Sequence, residues 1–515
     1  MSMWGSSRSS FDYRFRSQDE QVSIVEFRCD RARARQWMTR KSLRIGDRDV
    51  PLQLAWADGS SAAPAGLDAL FELERMILRR GQRSGADRLG SPAQAAAPAG
   101  IADVVVDFTD APRDPACKAR RYLRPRFNGA AGEDAALAAI LSGDLPVIEI
   151  VDEAEGTVVD RGHPSAELAN GLSGALDTVT ARTMTLLAAV LSGRPRIVPQ
   201  LADSVRGSTP RPPAAYVLRG VAWSIAREIY RLCCHAPHWH VGWRYSPKVN
   251  VWDTKDLSGP AWNVLPDPGN RFFADPFAVN WQGRTFAFFE DLDHRLGKGI
   301  ISAIEFDGTG PAGPVLPVLE EPWHLSYPFL LEHDGQLWMI PESSTNNDVA
   351  IYRCVRFPDK WERHATLLSG VEIADVTITQ HNGLYYMFGA WRDGTAGYSD
   401  MLAIYHSPDL MGPWTPHACN PVRIDRATTR PAGHFVRKDG QLWRPVQDCS
   451  ESYGGALALA EILELTPETF RQEIRSHIRP GPMWPGRKLH TLNRCGDLEL
   501  IDGARIQPKF RAWRG

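Results

Sequence analysis

An α/β domain followed by a C-terminal five-bladed β-propeller is the fold class this sequence predicts, and three observations predict it. A pattern of strand, Gly-containing turn and strand recurs five times between Arg271 and Gly503. Upstream of it, short apolar runs alternate with apolar residues at helix spacing, the mark of strands interleaved with helices. The 515 residues also exceed what one core holds at ~100–200 residues per domain.

Residues 1–20 are polar and rich in Ser and Arg, and are expected to be a disordered lead-in. They carry no apolar segment of the secretory kind, and nowhere do 18 apolar residues run without a charge, so a cytoplasmic location is expected. Residues 21–200 form the first domain. Ile101–Phe108 and Pro146–Val151 read as buried strands. Leu67, Leu70, Phe71, Leu73, Ile77 and Leu78 keep helix spacing, and Leu168 to Val190 does so over a longer run. Strands alternating with helices imply a Rossmann-like, mostly parallel sheet.

Residues 201–237 join the domains. Gly207–Pro213 is a linker by composition. In Ala214–Cys234, Val217, Val221, Ile225, Ile229 and Leu232 line one face while Arg219, Arg227 and Arg231 add charge. This helix is too charged to span a bilayer; packing between the domains is the expectation, with contact to a membrane surface as the alternative.

Residues 238–510 hold the repeat. Aligning its strands brings Asp275, Tyr327, Asp375, Ala432 and His490 to one equivalent position, at intervals of 52, 48, 57 and 58 residues. A Gly follows each, at 283, 335, 383, 440 and 496, and the second strand ends at Glu290, Glu342, Ala390, Gln447 and Gly503. Third strands follow in the first four repeats. A period near fifty with hairpin turns describes propeller blades, each burying its faces against its neighbours. Closing the ring needs a strand from before the first repeat, and His240–Tyr245 or Ala261–Leu265 can supply it.

Composition removes some functions. With 59 Lys+Arg against 61 Asp+Glu the net charge is −2, so no basic surplus supports nucleic-acid binding. The 8 Cys form no C-x-x-C pair, so neither a zinc site nor a disulfide framework is expected. The 17 Trp, 12 Tyr and 19 Phe with 43 Gly and 38 Pro suit a turn-rich β fold that binds carbohydrate.

Inner strands of a propeller run along a central funnel, so polar residues at equivalent positions converge. Asp275 and Asp375 do so from blades one and three, with Glu342, Glu290 and Gln447 at second-strand ends. Converging carboxylates are what glycosidic chemistry needs, an acid for the leaving oxygen and a base or nucleophile, about 5–5.5 Å apart for retention and roughly 6.5–9.5 Å for inversion. Asp275, Asp375 and Glu342 are therefore the candidate catalytic residues. His324, Ser326, Tyr327, Arg392, Arg430, Arg444, Gln447, Asp448, Tyr453, Glu290 and His490 are candidate substrate holders. The arginines favour an anionic sugar, because a guanidinium grips carboxylate or phosphate bidentately. Trp281, Trp338, Trp391, Trp414 and Trp443 can stack on sugars or pack blade against blade.

The ordered motifs A-D-P-F, G-x-x-x-x-F-F-E, H-L-S-Y-P-F, I-P-E-S, R-P-A-G-H-F and R-P-V-Q-D-x-x-x-x-Y-G, over about residues 240–506, resemble the N-terminal domain of plant glucosamine inositolphosphorylceramide transferases and bacterial relatives. That domain is similar to five-bladed arabinanase/xylosidase-type glycoside hydrolases. The resemblance implies a general-base role for Asp275 and an acid role for Asp375, where the hydrolases have Glu. It implies a third carboxylate where this chain has Tyr327, leaving Glu342 to supply that charge. It also implies a possible calcium ion in the funnel at His490, against the plainer reading of a core histidine.

In the first domain, Arg126–Gly132, Ala136–Gly143, Glu155–Val159 and the helix to Leu191 resemble the later half of formyltetrahydrofolate-dependent formyltransferases. The Asn-x-His those enzymes use is absent; Asn128 does not replace it, and neither Asp152 nor Asp160 is expected to have a His partner. The expectation is a degenerate domain kept for binding or assembly. The function expected of the whole is action on a glycosidic bond or activated sugar in polysaccharide or glycolipid synthesis. The alternatives are a noncatalytic glycan-binding propeller and a sugar N-formyltransferase.

Overall fold

The structure, a computed structural model, describes residues 22–57, 66–79, 81–90, 102–113, 117–167, 169–194, 197–201, 211–393, 396–484 and 486–509. The expected lead-in and most of the Gly-Pro linker lie outside them.

The first domain contains β1 (Val25–Asp30), β2 (Ser42–Ile45), β3 (Arg48–Ala57), α1 (Leu67–Ile77), β4 (Val104–Asp107), β5 (Arg121–Phe127), β6 (Ala130–Ala131), α2 (Glu133–Ser142), β7 (Ile148–Asp152), β8 (Thr157–Gly162) and α3 (Gly171–Leu191). The predicted strands and helices are present within a few residues. The sheet, however, is mixed, in the order β2-β3-β1-β4-β5-β7-β8 with β6 on β5. Only β1/β3, β1/β4 and β4/β5 are parallel. The mostly parallel, Rossmann-like sheet is thus corrected, and the reason is turn chemistry. Asn128-Gly129, with φ of 50° and 83°, folds β5 back on β6. A turn at Gly156, φ 67°, folds β7 back on β8. No feature of this sheet supports a formyltransferase.

The second domain is five radial sheets. Blade one runs Arg271–Trp281, Arg284–Asp293, Lys298–Phe306, Pro311–Leu319 from the funnel outward. Blade two starts at Ser326–His333, blade three at Ile373–His381 and blade four at Val436–Lys438. Blade five closes the ring: its inner strands Leu492–Cys495 and Leu498–Ala504 pair outward with Trp239–Tyr245 and then Asn263–Val264. Both upstream segments that the sequence offered are used, one as third strand and one as outer strand.

Aromatic and aliphatic side chains fill the wedges between blades. Phe288 meets Trp361 edge-on and Phe357 at a tilt, and Tyr386 and Phe388 share a core with Leu442 and Ile462. Trp338 is buried in the core of blades one to three, and Trp281, Trp391 and Trp414 pack on its margin. Trp443 packs against the core of blades four and five. These tryptophans belong to blade packing rather than to the funnel.

The closure is tight. Gly242 lies in the strand from the N-terminal side, where a Cβ would come 2.2 Å from the Trp484 ring, itself 2% exposed. Gly242→Ala is therefore expected to cost about 1–3 kcal/mol through overpacking, read as a lower urea midpoint at unchanged slope.

α4 (Pro213–Cys233) connects the domains. It does not pack between them as expected: none of its residues is buried, and only Tyr216 near its start joins the first domain's core. The domains meet directly instead. His163 extends β8 onto Asp425, and Met401 and Ile424 of blade three enter the first domain's core.

Candidate functional site

Three inner strands begin the same way. The pairing register slips between Ala274 and Phe277, between Ser326 and Phe329, and between Ala374 and Thr377. At these bulges Asp275, Tyr327 and Asp375 take φ of 52°, 42° and 55°. Left-handed backbone costs a non-glycine residue roughly 1–2 kcal/mol. A bulge re-aims its side chain, and bulges and backbone strain both concentrate at functional sites. The three equivalent positions read from the repeat are thus the three that the fold distorts.

Asp275 sits 6% exposed beside His490, whose Nε2 lies 3.6 Å from its carboxylate. His490 Nδ1 meets Asp502 at 2.6 Å, and Trp239 stacks on the imidazole at 3.9 Å with a 6° tilt. Asp502 also accepts from the backbone N–H groups of Asp275 and Thr491. Burial, reinforced by Asp502 and Asp375 and opposed by His490, pushes the Asp275 carboxyl up to about 7. The carboxylates beside His490 raise its pKa despite burial, and His490 holds that of Asp502 down.

Asp375 faces a cation. Its Oδ2 accepts from Arg430 Nε at 2.6 Å and from Gln447 Nε2 at 3.2 Å. Burial raises its pKa and Arg430 opposes the rise. The Arg430 guanidinium rests over the Tyr453 ring at 4.8 Å. Glu167, from the loop after β8, accepts from Ser399 Oγ at 2.5 Å and lies within electrostatic reach of Arg430 and Tyr453.

The second-strand ends complete the acidic wall. Glu342 accepts from Ser326 Oγ at 3.2 Å and from the Ser344 N–H at 2.9 Å. Glu290 lies 3.3 Å from His324 Nε2. Gly299 donates its N–H to His324 Nδ1 at 2.9 Å, which fixes the tautomer with the proton on Nε2, facing Glu290. Burial, with Asp275 and Glu342 nearby, holds the Glu290 carboxyl well above its ordinary range.

Tyr327 is fully buried and works as a tie. Its hydroxyl accepts from the Gly433 N–H at 2.7 Å and shares a hydrogen bond with Thr377 Oγ1 at 2.9 Å, joining blades two, three and four. It holds the floor of the funnel and supplies no charge.

Of the expected residues, Asp275, Asp375, Glu342, Glu290, His324, Ser326, Tyr327, Arg430, Gln447, Tyr453 and His490 come together here. Three do not. Arg444 is buried inside blade four, donating to Gln472 and to the carbonyls of Thr428 and Thr429. Asp448 turns to His477 at 3.5 Å and to the Ser450 N–H. Arg392 pairs with Glu372 at 3.4 Å at the edge of blade three. Strand alternation accounts for blade four: Gln447 points into the funnel, so residues 444, 446 and 448 face the other way.

Asp502, Trp239 and Glu167 belong to the site and were not anticipated. Asp502 lies one residue before the Gly503 that the repeat aligned with Glu290, so the offset hid it. As for calcium, the atoms offered by Asp275, His490 and Asp502 lie within 4.8 Å of one another. The Asp502 oxygens, however, are engaged by protein donors, which leaves one nitrogen and one carboxylate for an ion that takes 6–8 oxygens. The set does not form a calcium cage, whereas it does form a carboxylate–histidine–carboxylate relay.

The site is therefore a buried, acidic propeller funnel holding an arginine and a histidine, a class of site suited to proton exchange on a polar ligand. Residues 265–498 match the family model described as glucosamine inositolphosphorylceramide transferase 1, N-terminal. The chain is 29% identical over 280 residues to glucosamine inositolphosphorylceramide transferase 1 of Arabidopsis thaliana, covering 50% of this chain and 36% of that protein. It is 30% identical over 252 residues to the protein of that name from Oryza sativa subsp. japonica, covering 46% and 34%. The chain thus spans about a third of the length of these relatives. Among solved structures, the family 117 glycoside hydrolase Zg3597 of Zobellia galactanivorans aligns at 11% identity and TM-score 0.34, over 51% of this chain and 90% of that one. RS223 β-xylosidase aligns at 13% and 0.32, over 46% and 95%.

Proposed function

We propose that this chain is a carbohydrate-active enzyme whose funnel makes or breaks a glycosidic bond on a phosphate-bearing sugar. The observation that carries the reading is the convergence of Asp275, Glu290, Glu342 and Asp375 on one buried site whose environments differ. Burial raises the Asp275, Glu290 and Asp375 carboxyls alike, and what distinguishes them is the neighbour, His490 for Asp275 and Arg430 for Asp375. The Arg430 guanidinium, which does not lose its proton in proteins, opposes the burial that raises the Asp375 carboxyl and so favours its carboxylate form. That suits it to activate an acceptor or to stabilise positive charge at the sugar carbon. Asp275, poised near neutral pH, is suited to give a proton to a leaving oxygen. These roles reverse those implied by the hydrolase resemblance, and the Arg430 pair is the reason.

The relatives' names point to the substrate class: an inositol phosphate headgroup and a glucosamine unit. Arg430 is the group in the funnel able to meet a phosphate, by exchanging part of its pairing with Asp375. Incubation of the full chain with a glucosaminyl inositol phosphate headgroup, and separately with neutral oligosaccharides, followed by mass spectrometry and calorimetry, tests this. Turnover of the headgroup with weak response to the neutral sugars is expected. No binding and no turnover with either would overturn the reading. Binding without turnover would favour a noncatalytic glycan-binding propeller, the reading that Tyr327 at a carboxylate position supports.

A further inference from the structure

The described residues leave 17 large apolar side chains exposed, and ten of them belong to α1, its cap Leu78 and α4. Such concentration marks a surface that something covers. On α4 the stripe Leu218, Val221, Ile225, Ile229 and Leu232 is spaced at three and four residues, with Leu218 70% and Leu232 71% exposed. Trp223 is 66% exposed, and Ile77 of α1 is 63% exposed.

Between the two helices runs a cleft of about 560 Å³, with Leu73, Ile77, Val221 and Trp223 on its walls and Arg211, Arg219 and Arg227 beside them. None of these three arginines has an ion-pair partner among the described residues. The carboxylates nearby are engaged: Glu228 with Arg231, Glu72 with Arg75, and Glu74 with the N–H groups of Leu172 and Ser173 at the start of α3. The stripe face of α4 is thus apolar, while Arg219, Arg227 and Trp223 lie on the opposite side of the helix, the two arginines without an ion-pair partner among the described residues.

We propose that this face docks on an anionic lipid leaflet, with α4 lying in the plane of the headgroups and its stripe turned toward the acyl chains. An amphipathic helix with Arg on its polar side and Leu and Ile toward the lipid has this binding mode, and juxtamembrane arginines add attraction to anionic headgroups. A second copy of the chain is the poorer fit, because packing stripe against stripe would leave the arginines on the far side uncompensated, whereas an anionic leaflet supplies charge to them. The contact is at the surface, since no helix among the described residues is long and apolar enough to cross a membrane.

Co-sedimentation of the full chain with vesicles of equal parts phosphatidylcholine and phosphatidylglycerol, and with phosphatidylcholine alone, tests the proposal independently of the funnel. Binding to the anionic vesicles, weakened by salt, is expected. The triple variant Leu218→Ser, Ile225→Ser, Leu232→Ser should bind roughly tenfold or more weakly, at an unchanged thermal transition because these side chains are exposed. Arg219→Glu with Arg227→Glu should remove the preference for phosphatidylglycerol. The proposal is overturned if the parent stays in the supernatant with both vesicles, or if the triple variant sediments like the parent. It is equally overturned if the parent is a dimer that the triple variant makes monomeric and vesicles capture neither.

Discussion

Asp275→Asn is expected to lower glycoside turnover by roughly 10²–10⁴-fold, the contribution of a positioned general acid or base, while making the folded chain more stable at pH 8 than its parent. The two outcomes share one cause. The Asp275 carboxyl is pushed up to about 7 by burial and by Asp502 and Asp375, against an ordinary aspartate near 3.9 in the unfolded chain. The folded state therefore holds this proton through a window in which the unfolded state has released it. Its contribution to stability is present at low pH and is lost as pH rises from about 4 to about 7. His490, whose pKa is also raised, acts in the same direction, since its stabilisation falls away as pH climbs through its folded value.

Urea denaturation of the parent between pH 5 and pH 8 should show stability falling toward pH 8. The Asn variant carries an isosteric neutral group and should show a flatter curve. Turnover should fall above about pH 7 if Asp275 gives a proton. A parent whose activity rises with pH through this range would return Asp275 to the base role. A variant that turns substrate over like the parent would remove the funnel from the chemistry altogether. Asp375→Asn should be comparably inactive but less stable, because it leaves Arg430 buried without its carboxylate.

The repeat made much of this site legible. Equivalent positions in successive blades must meet at the axis, so alignment alone brought Asp275, Tyr327, Asp375 and His490 together. What alignment did not show is direction. Arg444 and Asp448 share a strand with Gln447 yet face away from it, because strand side chains alternate. Asp502 was lost to a one-residue offset in the repeat whose outer strands come from the far end of the domain. In the first domain, periodicity located the elements but not the sheet: whether a strand returns parallel or antiparallel depended on short turns, the two residues Asn128-Gly129 and the four that end at Gly156. Tyr327 carries no carboxylate yet takes the same bulge as Asp275 and Asp375, so the backbone distortion does not depend on the acid.

Arg182→Met should cost about 3–5 kcal/mol, the usual consequence of stranding one charge of a buried pair, and should loosen the funnel from outside. Arg182 of α3 is fully buried, donating from Nε at 2.9 Å and Nη2 at 2.8 Å to the two oxygens of Asp400, and from Nη1 to Asp393 at 2.8 Å. Asp400 is equally buried, immediately before the third strand of blade three, and also accepts the Ser165 N–H. Met fills the space of the arginine stem but leaves the carboxylate unpaired. The segment that pairs with this strand, Arg423–Ile424, continues through Asp425 and Arg426, which grips Asp144 with Nη2 at 2.8 Å, to Arg430, the partner of Asp375. The first domain thus braces the chain that positions the funnel's cation. Urea denaturation should show the loss of stability. The double variant Arg182→Met, Asp400→Leu should recover most of it, because replacing both charges by apolar groups removes the stranded one. If the single variant unfolds at the parent's midpoint, the junction is not what joins the two domains. If it is destabilised but turns substrate over unchanged, Arg430 is held without help from the first domain.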